Sequence, residues 1–126
     1  MKLITLIAVA LLLGAALCLS APARAYTVYN HVGYQACIID AGSPEFCALT
    51  VAPNGTYHSQ QGDPRMVWFN WNLKPGVCYL SQKIVNIPET GSAKMYADKV
   101  ELYDSDGKLV DTAGMARQTC GQRQNR

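Results

Sequence analysis

The chain is 126 residues long, carries a formal net charge of +2, and has 16% charged residues. A balance this close to neutral, without clusters of basic residues, gives no electrostatic reason to expect nucleic acid or an anionic membrane as a partner. The length suits one small domain with a single core.

The first 25 residues have the pattern of a signal peptide that is removed on export. Met1-Lys2 is positive, residues 3–19 are apolar, and Ala23-Arg24-Ala25 supplies the small-residue cleavage motif. The apolar run reaches the lower limit for a membrane-spanning helix, but Pro22 and the motif favour cleavage after Ala25. We therefore predict a secreted or periplasmic mature chain, residues 26–126, that has no membrane association and a net charge near zero.

Alternating apolar and polar residues, punctuated by glycine, proline and asparagine, predict a series of short strands. The first, Tyr26–Val32, is a candidate edge strand. Ala93–Asp98 is ambiguous, because Ala, Lys and Met also favour a helical turn. Beyond about residue 114 we expect an irregular C-terminal tail. The further predicted strands, in chain order, are Tyr34–Ile39, Phe46–Val51, Thr56–Ser59, Arg65–Leu73, Val77–Ser81, Lys83–Ile87, and a hairpin of Lys99–Tyr103 with Lys108–Thr112.

The segment Arg65–Leu73 is predicted to be the central strand, because it holds both tryptophans and one of the two phenylalanines. Period-2 alternation puts Val67, Phe69 and Trp71 on one face, and Met66, Trp68 and Asn70 on the other. Two largely apolar faces are typical of a strand covered on both sides. Seven to nine strands of this kind predict one all-β domain over 26–126, a small antiparallel β-sandwich with a β-barrel as the alternative.

Four cysteines remain after signal cleavage, and an even number in a short exported chain indicates two disulfides. If the second and third predicted strands form a hairpin centred near Gly42, Cys37 faces Cys47. The predicted pairs are therefore Cys37–Cys47 and Cys78–Cys120, the second tying the tail to the body. The absence of Cys-x-x-Cys and His-x-x-x-His pairs argues against a metal site, and we expect neither a metal nor a cofactor.

Catalytic residues are hard to assemble from this sequence. The two histidines, His31 and His58, could act with Glu45, Glu89 or Arg65 in a small secreted hydrolase or nuclease, provided that the fold brings them into one cleft. No Gly-x-Ser-x-Gly motif marks a nucleophile. The stretch 104–107, Asp-Ser-Asp-Gly, resembles the opening of a calcium loop but lacks the closing glutamate, so we interpret it as a turn. Our expectation is a protein that is not an enzyme.

Eleven aromatic residues against two histidines favour a binding or structural module that recognises a protein or a surface glycan. Trp68, Trp71 and Tyr57 are the candidate binding residues, and an exposed tryptophan would be the best of them. Inhibition of a foreign hydrolase by a rigid loop, Ala41–Glu45 or Gln60–Pro64, is one version of this function.

Two further features of the sequence leave alternatives open. An envelope or assembly component that pairs its edge strand with a neighbour is another functional possibility. The Asn54-Gly55-Thr56 sequence matches a glycosylation acceptor but is equally turn chemistry.

Overall fold

A computed structural model describes residues 25–119, which form ten β-strands and no helix. Since this part of the chain has no helix, none in it is long and apolar enough to cross a membrane. The predicted signal peptide up to Arg24, and Cys120, lie outside the described residues. The strands are β1 (Thr27–Asn30), β2 (Ala36–Asp40), β3 (Leu49–Val51), β4 (Thr56–His58), β5 (Met66–Lys74), β6 (Val77–Ser81), β7 (Val85–Asn86), β8 (Ser92–Met95), β9 (Lys99–Tyr103) and β10 (Leu109–Thr119).

The strands form one nearly closed, barrel-like sheet in the order β3-β2-β5-β6-β10-β9-β8-β1-β4, with β7 paired to β5. The all-β prediction is confirmed, and the architecture is the barrel alternative rather than two separate sheets. The sheet is mixed, because β1 and β8 pair in parallel while the other pairs are antiparallel. The long connection between β1 and β8 lets both strands run in the same direction.

The length of β10 explains why the two halves of the molecule make one sheet. Its first part forms the predicted hairpin with β9, as far as Gly114 opposite Lys99. Its second part leaves β9 and pairs with β6, from Met115 opposite Ser81 to Thr119 opposite Val77. The chain therefore stays in a strand through Thr119, where we expected an irregular tail, because β6 supplies a new hydrogen-bonding partner.

The prediction that the first strand is an edge was wrong. Strand β1 is hydrogen-bonded on both sides, to β4 and to β8. The strand that occupies its second side is β8, Ser92–Met95, the segment whose sequence left helix and strand open. The ends of the sheet are instead β3 and β4, each three residues long.

The core lies inside the barrel and is centred on β5, as the sequence predicted. Val67, Phe69 and Trp71 all point inward and are buried. The Trp71 ring stacks between Tyr79, at 4.2 Å between ring centroids, and Tyr34, at 5.5 Å. Each buried aromatic ring removes roughly 150–250 Å² from water, so this inward face supplies much of the burial that stabilises the fold.

The buried side chain of Asn30 joins β1 to the chain around β2 and β3, at the other end of the sheet. Its Nδ2 donates hydrogen bonds to the carbonyl oxygens of Tyr34 at 2.8 Å and Ala52 at 3.1 Å. Its Oδ1 accepts a hydrogen bond from the backbone N–H of Val32 at 2.9 Å. These bonds hold β1 against the chain that enters β2 and leaves β3, where no backbone ladder closes the barrel.

Candidate functional site

The predicted Cys37–Cys47 disulfide is present, with 5.6 Å between the Cα atoms. Its geometry differs from the expected cross-strand pair. Cys37 lies opposite Thr50 in the β2–β3 ladder, and Cys47 precedes β3. The bridge therefore ties a loop back onto β2, rather than joining two paired strands. We refer to residues 41–48 as the Phe46 loop.

Backbone hydrogen bonds hold the Phe46 loop in a defined shape. The Asp40 carboxylate accepts a bond from the N–H of Gly42 at 2.9 Å, and the Asp40 carbonyl accepts one from Ser43 at 3.0 Å. At the far end, the N–H of Ala48 donates to Ile38 at 2.9 Å. The loop nevertheless presents its one aromatic side chain to solvent, since Phe46 is 71% exposed. A large apolar side chain held in water by a cross-linked loop is an informative deviation from the usual burial pattern.

A groove of about 280 Å³ lies beside Phe46, on the outer face of the sheet. We call it the outer groove. Strands β2, β5, β6 and β10 form its floor and one wall, and the Phe46 loop forms the other wall. Leu80 in the floor is 4% exposed and pairs with Asn70, on the face of the sheet opposite to Trp71 and Tyr79. The lining residues are Cys37, Ile39, Pro44, Glu45, Phe46, Cys47, Asn70, Cys78, Leu80, Gln118 and Thr119.

The floor of the outer groove contains one buried amide, that of Asn70, which is 6% exposed. Its Nδ2 donates to Oδ1 of Asn72 at 3.3 Å. Within residues 25–119, Asn70 Oδ1 has no hydrogen-bond partner. A group that enters the groove can therefore bury apolar surface against Leu80 and Ile39 and also donate a hydrogen bond to this oxygen. Cys78 lies in the same floor, and its predicted partner Cys120 lies outside the described residues.

The three aromatic residues chosen from the sequence do not form one surface. Trp71 belongs to the core and is 6% exposed. Tyr57 packs against the core, and its hydroxyl donates to the Asp63 carboxylate at 2.6 Å, a bond that raises the pKa of Tyr57 to about 12, with burial adding to the shift. Trp68 is partly buried and lies opposite Ile39 in the β2–β5 ladder, but it is not among the residues that line the outer groove.

The two histidines lie at different places along β1. His58 contacts the first residue of that strand, with 3.3 Å between its Nδ1 and the Thr27 hydroxyl. His31 follows the last residue and stacks on Tyr96 at 5.1 Å between centroids. Four residues of strand separate the two positions, which is about 13 Å. The two imidazoles therefore make separate contacts, one at each end of β1.

Polar contacts account for the Asp104–Gly107 segment as a turn. Asp104 Oδ1 accepts hydrogen bonds from the backbone N–H groups of Asp106 and Lys108, both at 2.9 Å. Gly107 adopts a φ of +81°, which glycine tolerates without strain. In the part of the chain that the structure describes, no cluster of three or more His, Cys, Asp or Glu side chains could hold a metal ion.

A second pocket, of about 250 Å³, lies at the Gln60–Pro64 loop and is polar. We call it the polar pocket. The charged residues Asp63, Glu89 and Arg65 line it, together with Tyr26. Asp63 also closes its own loop, because its Oδ2 accepts a hydrogen bond from the backbone N–H of Gln60 at 2.7 Å. Arg65 is held by a bond from its Nε to the carbonyl oxygen of Ile87 at 2.7 Å.

The residue that sequence reasoning overlooked is Phe46. The sequence places it at the start of the predicted strand Phe46–Val51 and gives no reason to expect its exposure. The signal was the adjacent Cys47, since a disulfide at that position holds the preceding side chain at the end of a closed loop. Comparisons with models of protein families, with curated proteins and with solved structures returned no match for this chain.

Proposed function

We propose that this protein is an exported, non-enzymatic binding module that recognises another protein through Phe46 and the outer groove. One observation carries the proposal. A disulfide-closed loop holds Phe46 71% exposed, directly beside an open and largely apolar groove. The disulfide suits an oxidising compartment, either the periplasm or the extracellular space. Inhibition of a foreign hydrolase is one form that such recognition takes.

The energetics favour a protein partner over a small polar ligand. Phe side chains bury roughly 150–250 Å², so covering the 71% of Phe46 that is exposed contributes about 3–4 kcal/mol at ~25 cal/mol/Å². The loop is already ordered by the disulfide and by its Asp40 hydrogen bonds. Little conformational entropy is then lost on binding, which leaves more of the burial energy as affinity.

The groove adds selectivity for the side chain that enters it. Leu80 and Ile39 offer apolar contact, and Asn70 Oδ1 offers a hydrogen-bond acceptor at the floor. An aromatic side chain with a polar tip, tyrosine or tryptophan, satisfies both requirements at once. A purely aliphatic side chain would leave the Asn70 oxygen without a bond, at a cost in affinity.

A peptide library displayed on phage tests the proposal with the mature, oxidised protein as bait. We expect enriched sequences that share an aromatic residue and bind the parent protein. The Phe46→Ala variant should bind them about 30-fold more weakly, because removing an aromatic side chain from the centre of an interface costs about 2 kcal/mol. Its melting temperature should not change, since Phe46 contributes little to the folded core.

The matched control is Val110→Ala. Val110 is 51% exposed and lies on β10, near the end that pairs with β9 rather than β6. This substitution removes a similarly exposed apolar side chain outside the groove and should leave peptide affinity within twofold. Equal losses for the two variants, or enriched peptides that bind Phe46→Ala as well as the parent, would refute the proposal.

A further inference from the structure

The backbone nitrogen of Tyr26 lies at the boundary between exposed chain and buried core. Ala25 is exposed, whereas Tyr26 is 2% exposed. The Tyr26 nitrogen donates a hydrogen bond to the Ser59 hydroxyl at 2.8 Å, and the Tyr26 carbonyl accepts one from the Ser59 N–H at 2.9 Å. The predicted cleavage bond, Ala25–Tyr26, is therefore the last peptide bond before the barrel begins, with no overhanging residue.

The position of this nitrogen is set by the side chain that follows it. The Tyr26 ring belongs to the core cluster, and its hydroxyl donates to the carbonyl oxygen of Pro64 at 2.7 Å. The next residue, Thr27, donates its N–H to Gly91 at 3.1 Å, so the chain cannot swing away from the barrel without breaking the ladder of β1. Tyr26 and Ser59, the two residues of the hydrogen bond at this nitrogen, both line the polar pocket.

Cleavage would change the chemistry at this nitrogen. Hydrolysis of the Ala25–Tyr26 bond by the processing peptidase consumes one water, breaks the C–N bond, and leaves a carboxylate on Ala25 and an ammonium on Tyr26. The amide nitrogen donates one hydrogen bond, whereas an ammonium donates three. Ser59 accepts one of them, which leaves two N–H donors and a positive charge beside the polar pocket.

We propose that the polar pocket is a binding site for a primary ammonium, and that its ligand is the amino terminus of Tyr26 released by signal cleavage. The charged groups facing the site are two carboxylates, Asp63 and Glu89, and one guanidinium, Arg65. The Arg65 charge opposes the ammonium, and the two carboxylates outweigh it. Processing then strengthens the start of β1, because the new charge adds ionic contacts to the neutral hydrogen bonds and the buried Tyr26 ring that already hold it.

This inference depends on the export and cleavage that the proposed function includes, so the experiment separates the two. The mass of the protein recovered from the exporting cell reports whether the chain begins at Tyr26. Capture of the ammonium is measured on the oxidised chain Tyr26–Arg126, released in vitro from a fusion protein. This measurement does not depend on whether the exporting cell cleaves the chain at the same bond. Acetylation of the amino terminus, followed by mass spectrometry between pH 6 and 10, gives the pKa of the α-amino group.

The direction in which the pKa of the α-amino group is shifted shows whether the polar pocket binds the ammonium. Burial alone lowers the pKa of an amine, whereas nearby carboxylates raise it. Capture predicts a pKa at least one unit above the ordinary value of about 7.7–8.0. The Glu89→Gln or Asp63→Asn substitution should lower it again, and Glu45→Gln, at the outer groove, should not. A chain that retains Ala25 should show an ordinary value.

Two results would overturn the inference. One is a pKa at or below the ordinary range in the folded Tyr26–Arg126 chain. The other is a raised pKa that neither carboxylate substitution lowers, because the charge would then be held by something other than the polar pocket. Circular dichroism of each variant checks that the barrel is folded, and a start at Tyr26 in the exported protein is scored separately.

Discussion

Replacing Asn30 with leucine should show how the barrel is held together where its sheet is not continuous. Leucine has the same branched arrangement of four side-chain heavy atoms, although its methyl groups take more space, and it neither accepts nor donates hydrogen bonds. The substitution removes the acceptor for the Val32 N–H, at 2.9 Å, and the donor for the carbonyl oxygens of Tyr34 and Ala52. Asn30 is 1% exposed, so water cannot reach the vacated positions without disturbing the packing.

The magnitude follows from the burial of each group left without a partner. The Val32 N–H is buried, and an unsatisfied buried donor costs roughly 1–3 kcal/mol. The bonds to the carbonyl oxygens of Tyr34 and Ala52 are partly buried, and each contributes a net ~0.5–1.5 kcal/mol. Leucine recovers part of this by burying apolar surface. The expected loss in the free energy of unfolding is about 3 kcal/mol, a large fraction of the 5–15 kcal/mol typical of a domain.

Urea unfolding monitored by tryptophan fluorescence measures this loss, because Trp71 lies in the core. The control is Asn86→Leu, at an exposed position of β7, which should change stability by less than about 0.5 kcal/mol. A loss below about 1 kcal/mol for Asn30→Leu would refute the reasoning, since it would mean that β1 stays joined to the β2–β3 end of the sheet without this amide.

Two further predictions concern other parts of the fold. The Gly91→Ala substitution should prevent folding or cost several kcal/mol, because a Cβ there would overlap a backbone carbonyl of β9; a melting temperature within 3 °C of the parent would contradict this. The raised pKa of Tyr57, caused first by its bond to Asp63 and then by burial, contributes stability that is complete below pH 10 and is lost as the pH rises toward 12. Melting temperatures from pH 9 to 11 should therefore fall more steeply for the parent than for Tyr57→Phe, and parallel curves would contradict the assignment.

Much of the strand pattern could be predicted because each strand carries its own local signal. The inward face of β5, with Val67, Phe69 and Trp71, follows from alternation alone. The β9–β10 hairpin follows from a glycine that provides positive φ at residue 107. The Cys37–Cys47 bridge was identified correctly, although the register used to reach it was wrong, because proximity of the two cysteines tolerates several loop geometries.

The errors lie where a strand depends on a partner far along the chain. Residues 115–119 of β10 form a strand because they pair with β6, and no local sequence pattern in that polar segment predicts this pairing. The parallel pairing of β1 with β8 likewise depends on a segment more than 60 residues away, whose composition suited helix as well as strand. Propensity cannot resolve such cases, because tertiary contacts override it.

The candidate site also has some features that the local sequence predicts and others that depend on the fold. Sequence reasoning identified the loop that the disulfide closes and the tryptophan strand beneath it, since cysteines and large aromatics are visible in the chain itself. It could not rank the aromatics, because the exposure of a ring depends on what the fold lays over it. The Trp71 side chain is buried in the core, whereas the Phe46 side chain is exposed to solvent.

The residues by themselves determined that this chain makes short strands around an aromatic centre, because side-chain alternation and turn chemistry act over two to four residues. Tertiary structure alone decided that the sheet nearly closes, that β1 is enclosed rather than free, and that Phe46 borders a groove. Each of these depends on which distant strands become neighbours. That choice is made by the burial energy of the whole core, and no single segment of the sequence contains it.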